Sequence, residues 1–308
     1  MERRGTFRAG AGIVWRRQRA LWLIYFVGLL LAYLASSGLT ARVAPALEHS
    51  VQTAPRLYHA FDLSALAELG EMPERPFVEK NTNYYFFPLL NTLFMLFVTG
   101  GILANYERNM RLSTGEFFGA CGYHFWRFFR LLIYLAIALI PIWMLTKAEK
   151  PMSGRVDDAS ISPFTSVYFS IGAWAVILFL AMVVRLWFDM AQVIAVAEDE
   201  KRMHAALRES AKLVWRNFFS LAWLFLRIAL IGAIAFGLGT YLWAMVLRPE
   251  SVWKAFFLGQ LMILALIATR LWQRASETAW YGNYKASVGA ATPPAPVRAP
   301  VPEMVAVN

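Results

Sequence analysis

The chain has a single cysteine, Cys121, so no internal disulfide can form and packing alone must hold the fold. Charge is scarce: Asp, Glu, Lys and Arg make up 16% of the 308 residues, against 58% hydrophobic residues. A soluble domain of that composition could not hydrate its surface, and the mean hydropathy of +0.46 agrees. Histidine is rare, and His49, His59, His124 and His204 lack metal-ligand spacing. A cation site at His59, Asp62, Glu68 and Glu71 competes with a simpler account, a solvated acidic loop. Phosphate-binding loops, dinucleotide fingerprints and nucleophile elbows are all missing. The expectation is a non-enzyme with no cofactor and no metal, unable to energise transport alone.

What the chain does have is six long apolar runs. They cover Ala20 to Gly38, Phe87 to Asn105, Phe128 to Leu145, Ser166 to Val184 with a possible continuation, Phe218 to Leu247, and Val252 to Ala268. Each approaches or exceeds the ~20 residues that cross ~30 Å of hydrocarbon. Open strands cannot satisfy their backbone in lipid, so all six are expected to be helices. The fold class is therefore all-α, a polytopic membrane protein of six transmembrane helices in three hairpins, spanning residues 20–285.

Lysine and arginine fix the sides. Twenty cations fall before the first run, in the second and fourth loops and after the last run, and nine fall in the opposite loops. The positive-inside rule then places both termini in the cytoplasm, with residues 1–19 as a basic cytoplasmic segment. A cleaved signal peptide, with Ala35, Ser36 and Ala41 near the cut, is the rival reading of the first run. The long basic stretch before it and its length argue against that. The net charge of +10 and the pI of about 9.9 do not form one soluble basic patch, which argues against nucleic acid. The cations lie at helix ends beside tryptophans, and anionic lipid headgroups are the expected counter-charge.

The first outer loop, 39–83, carries Pro45, Pro55, Pro73 and Pro76, which exclude one continuous helix, and a short helix is expected from Ser64 to Leu69. Residues 286–308 turn to Ala, Pro and Val and read as a disordered tail.

Helix ends repeat. Trp15-Arg16, Trp126-Arg127 and Trp215-Arg216 precede or open the outward runs, and Arg185-Leu186-Trp187 and Arg270-Leu271-Trp272 close two inward ones. Two accounts stand: chance pairing of residues that favour the inner interface, or a tandem repeat of hairpins entering from one side. Between the fourth and fifth runs, about 198–216, Met203, Ala206, Leu207, Ser210, Ala211 and Val214 share one helical face. Lys201, Arg202, Arg208, Glu209, Lys212 and Arg216 occupy the remaining arc. Such a helix would either lie flat in the headgroups, its cations touching lipid, or cover the ends of the bundle.

The segments Ala195 to Asp199, Ala205 to Ser210 and Leu213 to Phe218 together resemble the hinge region of a loose group of bacterial six-helix membrane proteins. That group includes the membrane domain attached to some glycerophosphodiester phosphodiesterases. The resemblance covers Arg185 to Leu226, with Arg216 where the group usually has Gly. It implies the six-span layout and a bacterial inner-membrane address, not a reaction.

One basic residue, Arg227, lies well inside a run and must be compensated, because an unpaired cation there costs at least ~2.5 kcal/mol. The expected arrangement is a polar clamp in which Asp189 is shared by Arg185 and Arg227, either fixing the packing or binding an anionic group. Two functions remain: a scaffold, accessory subunit or lipid-associated envelope protein, with a possible membrane-protein partner, or a transporter or permease subunit for a small or amphiphilic solute. The aliphatic and aromatic middles of the runs favour the first.

Reporter fusions at Thr114 and at Asn308 should both read as cytoplasmic. An extracytoplasmic signal from either would overturn the assigned topology.

Overall fold

The structure, a computed structural model, describes residues 5–48, 82–108, 112–159, 164–246 and 252–291. Within them the regular structure is helical: α1 (Gly5–Arg16), α2 (Arg19–Glu48), α3 (Thr82–Glu107), α4 (Thr114–Ala159), α5 (Thr165–Ala197), α6 (Met203–Arg216), α7 (Phe218–Tyr241) and α8 (Val252–Ala291), with a π-helical turn, Leu242–Val246, after α7. Six of these, α2, α3, α4, α5, α7 and α8, are long and apolar enough to cross a membrane.

Several helices run past the apolar stretches that mark them. The 46 residues of α4 make a rod of about 69 Å, and the 40 of α8 one of about 60 Å, against ~30 Å of hydrocarbon. Hydropathy marks only the lipid-compatible part, whereas backbone hydrogen bonding continues wherever the next turn has something to pack against. Pro141 and Pro151 lie inside α4 without ending it. Likewise α2 runs to Glu48, into the expected outer loop, and α8 runs to Ala291, into the expected tail. The expected Ser64 to Leu69 helix and the rest of the tail lie outside the described residues.

Three helices form the centre, since α3, α5 and α8 all touch one another. The other three sit outside, each against two of the central ones: α2 on α3 and α8, α4 on α3 and α5, α7 on α5 and α8. The short helices close the ring. α6 packs on α5, α1 packs on α8 although the two are at opposite ends of the sequence, and the first turns of α4 pack on α3.

The Arg-Leu-Trp tripeptides account for two of these closures. Trp187 on α5 donates its indole N–H to the Leu207 carbonyl of α6, at 2.8 Å. Trp272 on α8 donates to the Phe7 carbonyl of α1, also at 2.8 Å. A buried indole N–H needs such an acceptor, and here it finds one in a neighbouring helix backbone. The tryptophans of the Trp-Arg pairs behave differently: Trp15, Trp126 and Trp215 are all exposed.

Small residues permit the close approaches. A side chain at Gly10 would meet the Ser276 backbone nitrogen of α8 at 2.8 Å, and one at Gly101 would meet the Phe117 carbonyl of α4 at 2.9 Å. On the third contact Ala191, Ala195, Ala206 and Ser210 are fully buried. Burial gathers at this α6 end of the bundle, in Val98 to Tyr106, Cys121 to Leu131, Leu186 to Ala195 and Leu271 to Tyr281. Further from it, Ile137, Ile140, Trp174, Leu178, Leu230 and Phe236 are exposed apolar side chains.

Gly10→Ala should lower the Tm of the purified protein in detergent, at a cost of about 1–3 kcal/mol, because backbone rather than a flexible tip blocks the new methyl. Gly12, on the same helix, has nothing within 4 Å of its missing Cβ. Gly12→Ala should leave Tm unchanged or raise it. Equal losses would mean that α1 and α8 do not meet at Gly10.

Candidate functional site

The ion pairs of the described bundle gather at the α6 end, while a smaller polar contact, Ser170 of α5 donating to the buried Glu149 of α4, lies near the other end. On α5, Arg185 and Asp189 lie one turn apart, and Arg185 Nε stands 3.5 Å from Asp189 Oδ2. The other oxygen, Oδ1, faces Arg274 Nη2 of α8 at 3.2 Å. Arg274 Nη1 also donates to the side-chain carbonyl of Gln192. One turn along α8, Gln273 Nε2 donates to Glu277 Oε1 at 3.0 Å. Glu277 is only 2% exposed, and its second oxygen finds no donor among the described residues.

The clamp therefore forms between α5 and α8, and Arg227 of α7 is not its third member. Its guanidinium lies over the rings of Trp223, 5.1 Å away, and Phe7, 5.9 Å away. The cause is the helix register. Leu221, Leu224 and Ile228 are buried and define the inward stripe of α7. Arg227, one position from Ile228, is turned about 100° aside toward α1. Aromatic faces take the place of the expected carboxylate.

A second polar cluster ties down the turn between α5 and α6. Asp199 has a φ of 50°, left-handed backbone that aspartate tolerates better than most residues. Its carboxylate accepts from Arg127 Nη1 at 2.6 Å and from the Tyr123 hydroxyl at 3.0 Å. The Arg127 hydrogen bond holds this carboxyl below its ordinary pKa. Next to it, Glu198 accepts from the Tyr281 hydroxyl at 2.7 Å and pairs with Lys285 at 3.2 Å. The Tyr281 bond, followed by Lys285, holds Glu198 below its ordinary pKa as well. The turn is thus anchored to α4 on one side and α8 on the other.

The amphipathic helix α6 spends its apolar face on protein. Met203, Ala206, Leu207, Ser210, Leu213 and Val214 are buried, so the helix covers the bundle end rather than inserting between lipids. Its charged face stays open. Arg202, Arg208, Lys212 and Arg216 line a cleft of about 550 Å³ whose other wall carries Tyr281 and Tyr284 of α8. None of these four cations forms an ion pair among the described residues. Lys201 is exposed just before α6, outside the lining. Glu209 also lines the cleft, and burial, then the Glu198 and Glu200 charges, push its carboxyl above its ordinary pKa.

Glu277 and Tyr281 were not singled out in the sequence, and Arg270 and Arg274 figured there only as cations after the last run, because that run ends at Ala268 and leaves all four in the following segment. Their spacing does carry a signal: four, three and four residues, one continuous face of a helix. Among the described residues no group of three His, Cys, Asp or Glu side chains could hold a metal ion. The cluster at His59 lies outside the described residues.

A double-mutant cycle on Asp189→Asn and Arg274→Gln should show a coupling of about 0.5–3 kcal/mol in detergent stability. The same cycle with Arg227→Gln should be additive. Coupling to Arg227 in place of Arg274 would overturn the arrangement.

Comparison of the chain with family models, curated proteins and solved structures finds no match, so the arginines, carboxylates and tyrosines at the α6 end carry the functional reading by themselves.

Proposed function

We propose that this multi-pass membrane protein carries out no reaction of its own and acts in a bacterial inner membrane as a scaffold, accessory subunit or lipid-associated envelope component, with its α6 end on anionic lipid headgroups. In this reading both termini are cytoplasmic and three hairpins enter from that side, as the distribution of cations and the resemblance to bacterial six-helix proteins imply.

One observation carries the lipid part of the reading. A basic helix whose apolar face is consumed by the bundle still presents four cations that form no ion pair among the described residues, beside Tyr281 and Tyr284, and such a mix of cations and aromatic rings suits a headgroup layer. Glu209 is the single carboxylate in the lining of that cleft, so four cations face one acid and the surplus calls for an anion from outside. Of the other carboxylates, Asp189, Glu198 and Asp199 are already engaged by Arg185, Arg274, Tyr281, Lys285 and Arg127.

The second reading, a transporter or permease subunit, has Glu277 on its side. A buried carboxyl among the central helices, with one oxygen unbonded among the described residues, is what a proton- or cation-coupled path would use. The polar groups around it are interlocked across α5 and α8 rather than strung along a route, which supports the structural role.

Added phosphatidylglycerol should raise the Tm of the purified protein more than phosphatidylcholine does, and the difference should shrink at high salt because exposed charges are screened. Arg208→Gln combined with Lys212→Gln should abolish most of the difference. Equal stabilisation of the natural chain by both lipids would overturn the headgroup reading.

A further inference from the structure

We propose that the groove between α5, α7 and α8 binds one anionic phospholipid, with its phosphate between Arg185 and Arg270 and an acyl tail laid along α7. The site is distinct from the α6 cleft. It rests on the reading that anionic headgroups face the α6 end, and it goes beyond that reading by naming a groove, a stoichiometry and a tail.

The mouth of the groove is built by the repeated tripeptide. In Arg-Leu-Trp the first and third residues are two positions apart, about 200° round a helix. Trp187 and Trp272 turn inward to donate to the α6 and α1 backbones, so Arg185 and Arg270 must turn outward. Both line the groove against α7. α7 is the outer helix that sits between α5 and α8, the two helices that carry the tripeptide. Both α2 and α4 have α3 as one of their two central neighbours, and α3 contains no basic residue among its 26. Of the three outer helices, then, only α7 is flanked by two such arginines.

Charge at the mouth is in surplus. Three guanidiniums, Arg185, Arg270 and Arg274, stand against Asp189 and Glu277. Asp189 is occupied by Arg185 and Arg274, which leaves Arg270 exposed and without an ion pair among the described residues. A phosphate diester placed between Arg270 and Arg185 would take charge-assisted hydrogen bonds from both, the contact guanidinium forks favour.

Beyond the mouth the groove is apolar. It runs from Phe225 beside Arg185 to Phe236, with a volume of about 300 Å³. Eleven residues of α7 separate those phenylalanines, about 16 Å, close to one leaflet's share of ~30 Å of hydrocarbon. Ala229, Gly232 and Ala233 keep the floor low between them, and at Gly232 even a Cβ would stand 3.3 Å from Thr269 Oγ1 of α8. A charged mouth with a leaflet-deep apolar trough fits a phospholipid rather than a free phosphate.

Native mass spectrometry of the full chain, released from mild detergent with phosphatidylglycerol or phosphatidylcholine present, tests this. The expected result is one retained phosphatidylglycerol, with phosphatidylcholine retained far less. Arg270→Gln should weaken retention about tenfold, the loss of one charge-assisted contact, and Arg270→Lys should fall between. Ala229→Trp fills the trough, leaves both arginines in place and should weaken retention equally; since Ala229 is exposed, this variant keeps the test valid even where Arg270→Gln lowers the lipid-free Tm. Glycerol 3-phosphate should not displace the lipid. Unchanged retention in Ala229→Trp, or displacement by glycerol 3-phosphate, overturns the proposal. Failure here, with the phosphatidylglycerol dependence of Tm still abolished by Arg208→Gln and Lys212→Gln, would leave the headgroup reading standing; loss of that dependence without loss of the retained lipid would do the reverse.

Discussion

A carboxylate taken into a helix bundle must be neutralised where it sits, and Asp189 imposes that requirement on the centre of this protein. Its side chain is 9% exposed and carries a guanidinium on each oxygen, one from its own helix and one from α8. Leaving a partner out would strand a buried charge at a cost of several kcal/mol, so α8 cannot slide or rotate freely against α5. Arg274 also holds Gln192, and Gln273 holds Glu277, which carries the registration further along the α8 face. With that contact set, the third central helix, α3, meets both partners through apolar packing: Leu103 falls in one hydrophobic cluster and Val98, Ile102 and Tyr106 in the other.

The peripheral layer depends on a different device. A short helix placed at the end of a bundle gains little from its own hydrogen bonds, since helices of 12 or 14 residues are marginal in water. Trp187 and Trp272 each supply a large buried surface and one directed hydrogen bond to such a helix. Around α6, Asp199 and Glu198 add further ties to α4 and α8. This end of the molecule resembles a soluble core in its packing. The rest does not. In α4 and α5 the most apolar windows are only 11% and 6% buried, so most of their apolar surface is left for a partner outside this chain, and their length and composition suit a membrane.

How much of this could be read from residues alone follows from the range of each interaction. Apolar length is a local property, and all six membrane helices stand where the six runs were. Facial periodicity is also local, which is why the two faces of α6 were legible although the partner of its apolar face was not. The Arg185 to Asp189 contact, one turn apart, was legible for the same reason. Its other partner was not, because Arg274 is 85 positions away and only the adjacency of α5 and α8 brings it in. Arg227 shows the converse. Its depth in the run was evident, but the inward stripe of α7 is set by Leu221, Leu224 and Ile228, and Phe7 reaches it from the far end of the sequence.

The repeat of Arg-Leu-Trp then acquires a physical meaning that chance pairing at an interface would not have. An inward tryptophan and an outward arginine are geometrically coupled on a helix, so the same three residues that secure a short helix inside the bundle present a cation to its outer surface. Where two copies flank one outer helix, as around α7, two cations face a single groove. Internal packing and surface charge are thus set by one short sequence, and the asymmetry of the bundle arises because α3 lacks it.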